Sequence, residues 1–307
     1  MSNIELPTLG FGGAPLGNLF EPIDEQIARD TVDAAWEAGI RLFDTAPLYG
    51  NGLSERRLGD ALRDHPRDSY VLSTKVGRLL RPGTDPGSLF RDTPELHPVF
   101  DFSRDGVLRS FESSLERLGI DRIDVVHLHD PDDHLDQAIA EALPALVELR
   151  NQGVIGAVGC GMNATAPLIR ILAEADLDVV LIAGRYTLLD RSAGSELLPL
   201  CCERKVKVIA GGIFNSGLLA DPDANGTFDY VEAPSEIVER ALLLAHRCRT
   251  YNIPLAAAAI QFVLRHPAIT SVIFGVRSRR EIETDVSAAN MKIPDALWDE
   301  LAVGSTS

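Results

Sequence analysis

The chain has 307 residues, 45% of them hydrophobic and 24% charged, an ordinary composition for a folded protein with a large core. Its 45 acidic and 29 basic side chains leave a formal net charge of −16, which repels phosphate backbones and anionic membranes and argues against nucleic-acid binding. No run approaches the length of a membrane span, and Met1-Ser2-Asn3-Ile4-Glu5 lacks the basic and apolar regions of a signal peptide. Cys160, Cys201, Cys202 and Cys248 lack CxxC spacing, so neither a structural zinc site nor a disulfide framework is expected. These features describe a cytoplasmic globular protein, monomer or homodimer, with a small-molecule partner and no membrane or nucleic-acid role.

Leu9-Gly10-Phe11-Gly12, inside the Gly/Pro-rich opening from Leu6 to Gly17, reads as a first strand. Ile27, Thr31, Ala34, Ala35 and Ala38 recur at helical spacing until Gly39. The second strand, Ile40–Phe43, breaks at Asp44 and runs into a Pro/Gly-bounded loop that holds Tyr49. Ser54 is a plausible cap for a helix closing near Arg63. Tyr70–Thr74 is a third strand, ending at Lys75. The stretch from Val76 to Phe102, with Pro82, Pro86, Pro94 and Pro98, reads as a long irregular loop of the kind that is usually functional or mobile. Ser103 caps a helix that ends at Gly119. Ile123–Leu128 is a fourth strand running into His129-Asp130-Pro131, followed by a helix over Leu135–Gln152 and a fifth strand, Val154–Val158. Val179–Ala183 then pairs with the helix Glu196–Glu203, and Val206–Ala210 with the helix Ile237–Tyr251. Ser271–Phe274 precedes the helix Arg279–Ala289. The helix Ala256–His266 and the segment Pro294–Leu301 are additions.

Eight short apolar strands alternating with helices, without a linker or composition shift, predict one α/β domain over 1–307: a single-domain (β/α)8 TIM barrel with extra helices near the C-terminus. Active sites of such barrels lie at the C-terminal ends of the strands. Asp44, Lys75 and His129 sit at three adjacent strand ends, with Tyr49 in the loop between the first two. A phenol with a pKa near ~10 is a poor base unless a cation favours its anion. Lys75 supplies that cation, Asp44 holds the lysine charged, and His129 orients a substrate oxygen, leaving Tyr49 to donate or accept a proton at a carbonyl or carbinol. Taken singly, each has a plainer explanation. A loop tyrosine is by default a packing residue, and an aspartate after a strand a turn former. Lys75 is harder to dismiss: it is the only lysine in the first 200 residues, in a chain that otherwise uses arginine there. His127, one layer deeper than His129, reads as a satisfied core histidine.

Asp44-Thr45-Ala46-x-x-Tyr49-Gly50, Ser73-Thr74-Lys75 and Ile123-Asp124-x-x-x-x-His129-Asp130-Pro131 resemble the tetrad signatures of the aldo-keto reductases, in the same order along the chain. Leu9 to Gly17, His129-Asp130-Pro131 and Gly212-Ile213-Phe214-Asn215-Ser216-Gly217-Leu218-Leu219 are similar to the aldose 1-dehydrogenase branch, which includes L-fucose, D-threo-aldose and L-galactose dehydrogenases and a pyridoxal dehydrogenase. The resemblance implies hydride transfer with a nicotinamide cofactor across the barrel mouth, with no metal. The implied cofactor contacts are Asp44, Gly161, Asn163, Gly212, Phe214, Asn215, Ser216, Gly217, Gly275, Val276, Arg277, Glu281 and Asp285. The usual Gly-Val-Ser-Asn run after strand five is Gly159-Cys160-Gly161-Met162-Asn163 here, and the Asn-Gln before Tyr186 is Ile182-Ala183. The position of the aromatic that stacks on the nicotinamide is Gly211, which leaves Phe214 as the nearby ring. Many NADP-using members have a basic residue where Glu281 falls, and a carboxylate there repels a 2′-phosphate, so NAD is expected over NADP. Arg277, Arg279 and Arg280 act in the opposite sense.

The expected reaction is oxidation of a cyclic sugar at C1 to its lactone, with Asp130 and Arg185 as candidates for binding sugar hydroxyls. Reduction of aldehydes or ketones, or oxidation of pyridoxal at C4, is the alternative on the same fold. A metal-dependent barrel hydrolase built on His127 and His129 is the rival from another class, although such enzymes carry an HxH pair on the first strand with further histidines on later ones. A non-catalytic binding subunit has no need of all four tetrad residues. Gly159-x-Gly161-x-x-Ala164 with Asp178 formally matches a dinucleotide fingerprint, but it lies mid-chain and is rejected.

Overall fold

The computed structural model describes residues 4–224 and 226–302. The ring at its centre is built of β1 (Leu9–Gly12), β2 (Leu42–Asp44), β3 (Val71–Val76), β4 (Ile123–His129), β5 (Ile155–Met162), β6 (Val179–Ala183), β7 (Lys207–Gly211) and β8 (Ile269–Gly275). Each strand pairs in parallel with its neighbours in sequence, and β8 closes on β1. This is the expected eight-stranded α/β barrel. Strand alternation sorts the side chains. Leu42, Val125, Val179 and Ile209 fill the interior, while Val126, Leu128 and Val180 face the helices. No helix among the described residues is long and apolar enough to cross a membrane.

Around the ring lie α1 (Glu25–Glu37), α2 (Leu53–Leu62), α3 (Arg104–Leu118) and a helix over 135–151, called α4. The last has a π-helical turn at Ala138–Ala142 between its α-helical ends. Asp24 caps α1 and Ser103 caps α3, each accepting a backbone N–H three residues on, and Gly119 ends α3 in the left-handed region. Ser54 is not the cap expected of it. Gly52 takes that place, and the buried Ser54 hydroxyl instead bonds Gly13 O at 2.7 Å and Thr45 Oγ1 at 2.8 Å. A hydroxyl that folding takes out of water needs partners wherever they lie.

The remaining helices are α5 (Thr165–Glu174), α6 (Leu197–Arg204), α7 (Ser235–Thr250), α8 (Leu255–Leu264), α9 (Arg279–Ala289) and α10 (Asp295–Ala302). The helix α5 was not among the expected elements; its start has no side-chain cap, although Leu168, Ile171 and Leu172 carry helical spacing. The strand β5 runs four residues past its expected end at Val158, through glycines that are poor strand formers. The roles of two helices are exchanged. The helix α8, buried continuously from Leu255 to Ile260, packs on β8 and α9, while α7 lies outside it against α8 and α10. The stretch from Val76 to Phe102 is less irregular than expected, since Arg78–Pro82 and Leu96–Phe100 pair as an antiparallel hairpin beside the mouth. A two-stranded ribbon is all edge, so Pro82 and Pro98 fit in it without breaking a ladder. A second small hairpin, Thr227–Phe228 with Val231–Glu232, was also unforeseen.

Candidate active site

Three adjacent strands bring the four expected residues together at the C-terminal mouth. Ser73 pairs in register with Asp44, and Lys75 with His127. Alternation turns Ser73 and Lys75 inward on β3, and His127 and His129 inward on β4. Lys75 Nζ donates to Asp44 Oδ2 at 2.6 Å and to Thr45 O at 2.9 Å, with both side chains almost wholly buried. Ser73 Oγ donates to Asp44 Oδ1 at 2.5 Å, so both carboxylate oxygens are held. The ammonium lies 4.7 Å from the centre of the half-buried Tyr49 ring. The His129 ring meets Tyr49 edge to face, with centroids 5.8 Å apart.

The Tyr49 loop is clamped against the β1 loop. A Cβ at Gly17 would fall 2.5 Å from the Tyr49 carbonyl carbon, and Gly50 turns at φ +65. Outside the barrel, the fully buried Glu55 accepts from Thr74 Oγ1 at 2.7 Å and from Arg117 Nε at 2.6 Å, bracing the strand that carries Lys75. Ser73, Glu55 and Arg117 are supports that the spacing of the four expected residues does not reveal. Ser73 stands two residues before Lys75, and strand alternation alone assigns it to the lysine's face.

Electrostatically the site is strongly biased. Burial disfavours the Lys75 charge, but Asp44 and Tyr49 outweigh it and hold the ammonium above lysine's ordinary pKa. Burial also pushes the Tyr49 phenol up to about 12. Lys75 pulls against that rise by charge and hydrogen bonding, and Asp44 adds to it. The cation beside Tyr49 favours the phenolate, as expected, but desolvation prevails over it. His127 falls to about 3 through burial and the nearby Lys75. His129 falls well below its ordinary value through burial, then Arg78 and Lys75. Both imidazoles are therefore neutral at physiological pH. His127 is a core residue whose ring packs over Gly159, but it is not the satisfied histidine expected, since neither nitrogen has a hydrogen-bond partner among the described residues. Among the described residues no three His, Cys, Asp or Glu side chains converge as a metal site requires.

Glycines recur along the rest of the rim. Running round the ring from β5 to β1, the strand ends present Gly161, Gly184, Gly211 with Gly212, Gly275, and Gly12 with Gly13. The result is a trough of bare backbone facing the Asp44–Lys75–His129 arc. A Cβ at Gly161 would come 3.5 Å from Lys75 Cε, so the glycine keeps the space beside the lysine free of a side chain. Because Gly159 and Gly161 lie within β5, they do not make the strand–turn–helix of a dinucleotide fingerprint.

The other expected cofactor residues border this trough. Asn163 is exposed just past β5, and its carbonyl accepts from Arg185 Nε at 2.6 Å. Phe214 is half-buried against the core. Asn215 donates to Gly184 O at 3.3 Å and keeps a buried, unpaired Oδ1. Ser216 Oγ accepts the Tyr230 N–H at 2.9 Å, tying the loop to the second hairpin. Beyond Gly275 and the buried Val276, the Arg277 N–H donates to Glu281 Oε2 at 2.9 Å, while its guanidinium bonds Glu21 and Leu19 O. Ser278 caps α9 by accepting the Glu281 N–H, so Glu281 is fixed at the helix start. Asp285, one turn on and buried, is pushed up to about 7 by burial and by Glu281. Asp190, both oxygens of Asp229 and the Asn163 carbonyl take up four of the five donors of Arg185.

The Aldo/keto reductase family model matches residues 8–302. The chain is 44% identical to a D-threo-aldose 1-dehydrogenase from Pseudomonas sp., over 98% of this chain and 94% of that one. It is 41% identical to a pyridoxal 4-dehydrogenase from Microbacterium luteolum, with the same two coverages. Among solved structures it matches the holo form of an aldo-keto reductase from Bacillus halodurans, with a TM-score of 0.78 and 28% identity over 98% of this chain and 93% of that one.

Proposed function

We propose, since this chain belongs to the aldo/keto reductase family, that its NAD(P)-dependent reaction is the oxidation of a cyclic aldose at C1 to the lactone. Supporting this is one juxtaposition: a buried lysine between a carboxylate and a phenol, facing an arc of bare glycine backbone. In the oxidative direction Tyr49 accepts the C1 hydroxyl proton. Lys75, charged across the accessible pH range, stabilises the phenolate that must precede that step. His129, neutral, hydrogen-bonds the same oxygen and fixes its position. A bound oxidised nicotinamide would supply the hydride acceptor. In the reductive direction the protonated phenol is already the acid the carbonyl needs.

The residues bordering the glycine trough would hold the dinucleotide, with Phe214 near the ring and Arg277 to Asp285 at the far end. Arg277 is paired with Glu21, and Arg279 with Glu37. Together with the fixed Glu281 carboxylate, these pairings favour a free ribose over a 2′-phosphate, so NAD is preferred over NADP. The 41% identity to a pyridoxal 4-dehydrogenase supports a second reading, oxidation of pyridoxal. The four cysteines are all free, which suits a reducing cytoplasm. A screen of aldoses, pyridoxal and simple aldehydes with both nucleotides, with identification of the product, tests the proposal. Lactone formation from an aldose with higher kcat/KM for NAD supports it. Turnover of pyridoxal or simple aldehydes alone overturns the aldose assignment, and a higher value for NADP overturns the cofactor assignment.

A further inference from the structure

Arg78 and Asp130 form an ion pair at the mouth that the proton-transfer chemistry leaves unused. Arg78 Nη2 donates to Asp130 Oδ2 at 2.9 Å, and the two side chains are only 15% and 24% exposed. Arg78 stands opposite Phe100 in the first hairpin and lays its guanidinium 4.4 Å from that ring's centre. Phe100 in turn packs against Phe102 and His134. The arginine is therefore backed by an aromatic cluster.

Asp130 follows His129 directly, in the left-handed region at φ 45, a conformation that a non-glycine residue keeps only when its surroundings impose it. Its N–H donates to Gly161 O at 3.1 Å. The turn sets Asp130 Oδ2 3.6 Å from His129 Nε2 and leaves Oδ1 with no hydrogen bond among the described residues. Arg78 Nε is likewise buried without a partner. A half-desolvated pair beside the group that orients the reacting oxygen thus keeps both an acceptor and a donor in reserve.

We infer, resting on the aldose reading above, that Asp130 and Arg78 recognise the C2 hydroxyl of the sugar, Asp130 accepting its proton and Arg78 donating to its oxygen. With the C1 hydroxyl held between Tyr49 and His129, the next polar atoms are the ring oxygen and the C2 hydroxyl. The ring oxygen has no proton to give and would be repelled by a carboxylate. The C2 hydroxyl both donates and accepts, and so matches the pair.

The test is kcat/KM for the aldose of the screen that is oxidised fastest, against its own 2-deoxy form (L-fucose and 2-deoxy-L-fucose, for example). Wild type, Asp130→Asn, Asp130→Ala and Arg78→Ala are compared. Each ratio is taken on one preparation, so any loss of folded enzyme cancels. The wild type is expected to prefer the 2-hydroxy sugar by about 10–100-fold, the range of a hydrogen bond to a charged group. That ratio should fall to within about 3-fold of unity in Asp130→Ala and Arg78→Ala, with Asp130→Asn between, because the charge assistance is lost in each. A wild-type ratio near one overturns the inference, and so does the full ratio persisting in the alanine variants. If the wild type oxidises no aldose, the functional reading fails and this inference falls with it. Aldose turnover indifferent to C2 overturns this inference alone.

Discussion

Replacing Lys75 by methionine separates what the buried pair does for the fold from what it does for catalysis. Lys75 and Asp44 are 1% and 2% exposed and 2.6 Å apart. Removing the ammonium leaves Asp44 with the Ser73 hydroxyl and no counter-charge, and breaking a buried pair from one side destabilises by about 3–5 kcal/mol. At about 2–4 °C per kcal/mol, Tm should drop by roughly 10 °C. Asp44→Asn strands the lysine instead and should cost a similar amount. In Lys75→Met/Asp44→Asn neither charge remains, so the double variant should be more stable than the sum of the single losses by about 2–3 kcal/mol. Activity should not follow, because every variant lacks the charged pair beside Tyr49, and kcat/KM should stay depressed by about 10²–10⁴-fold. Urea unfolding and the absorbance of reduced nicotinamide measure the two halves. Additive stability losses within about 0.5 kcal/mol, or activity returning in the double variant, would refute the reasoning.

Two further outcomes follow from the same geometry. In cofactor-free protein, the alkaline absorbance difference between wild type and Tyr49→Phe should have its midpoint near the raised pKa of about 12, and a midpoint below about 10 would contradict the burial argument. Because the folded pKa lies above the unfolded one, Tyr49's contribution to stability is complete below pH ~10 and lost as pH rises toward the folded pKa. Gly17→Ala forces its Cβ against backbone at Tyr49, 2.5 Å away, so the loop must shift. The variant should lose about 1–3 kcal/mol on unfolding and at least about 10-fold in kcat; unchanged kcat would show that the clamp does not position the phenol.

The barrel was legible because eight apolar segments each end at a turn or cap, and because Asp44, Lys75 and His129 fall at strand ends where alternation makes them converge. What escaped the sequence lies where tertiary partners override local rules. Ser54 sits where a cap belongs but is buried against Gly13 and Thr45. Within β5, Gly159 interrupts strand propensity because His127 occupies the interior space before it. The helices α7 and α8 were exchanged because helical spacing shows which residues share a face, but not which helix reaches the barrel. The hairpin that delivers Arg78 hid in a proline-rich run, since a two-stranded ribbon needs neither a continuous ladder nor strong alternation. The direction of the Tyr49 pKa depends on the balance of desolvation against one cation at 4.7 Å from its ring, and spacing cannot supply that balance.

Single-turnover hydride transfer in Tyr49→Phe, measured beside nucleotide affinity by fluorescence quenching, tests the central proposal most directly. The phenol's oxygen is the only group removed, and Tyr49 borders the glycine trough without forming it. The proposal requires hydride transfer to fall by at least about 10³-fold with nucleotide Kd changed by less than about 3-fold. Hydride transfer persisting near the wild-type rate would mean that the proton moves through another group, and the assignment of Tyr49 would be wrong.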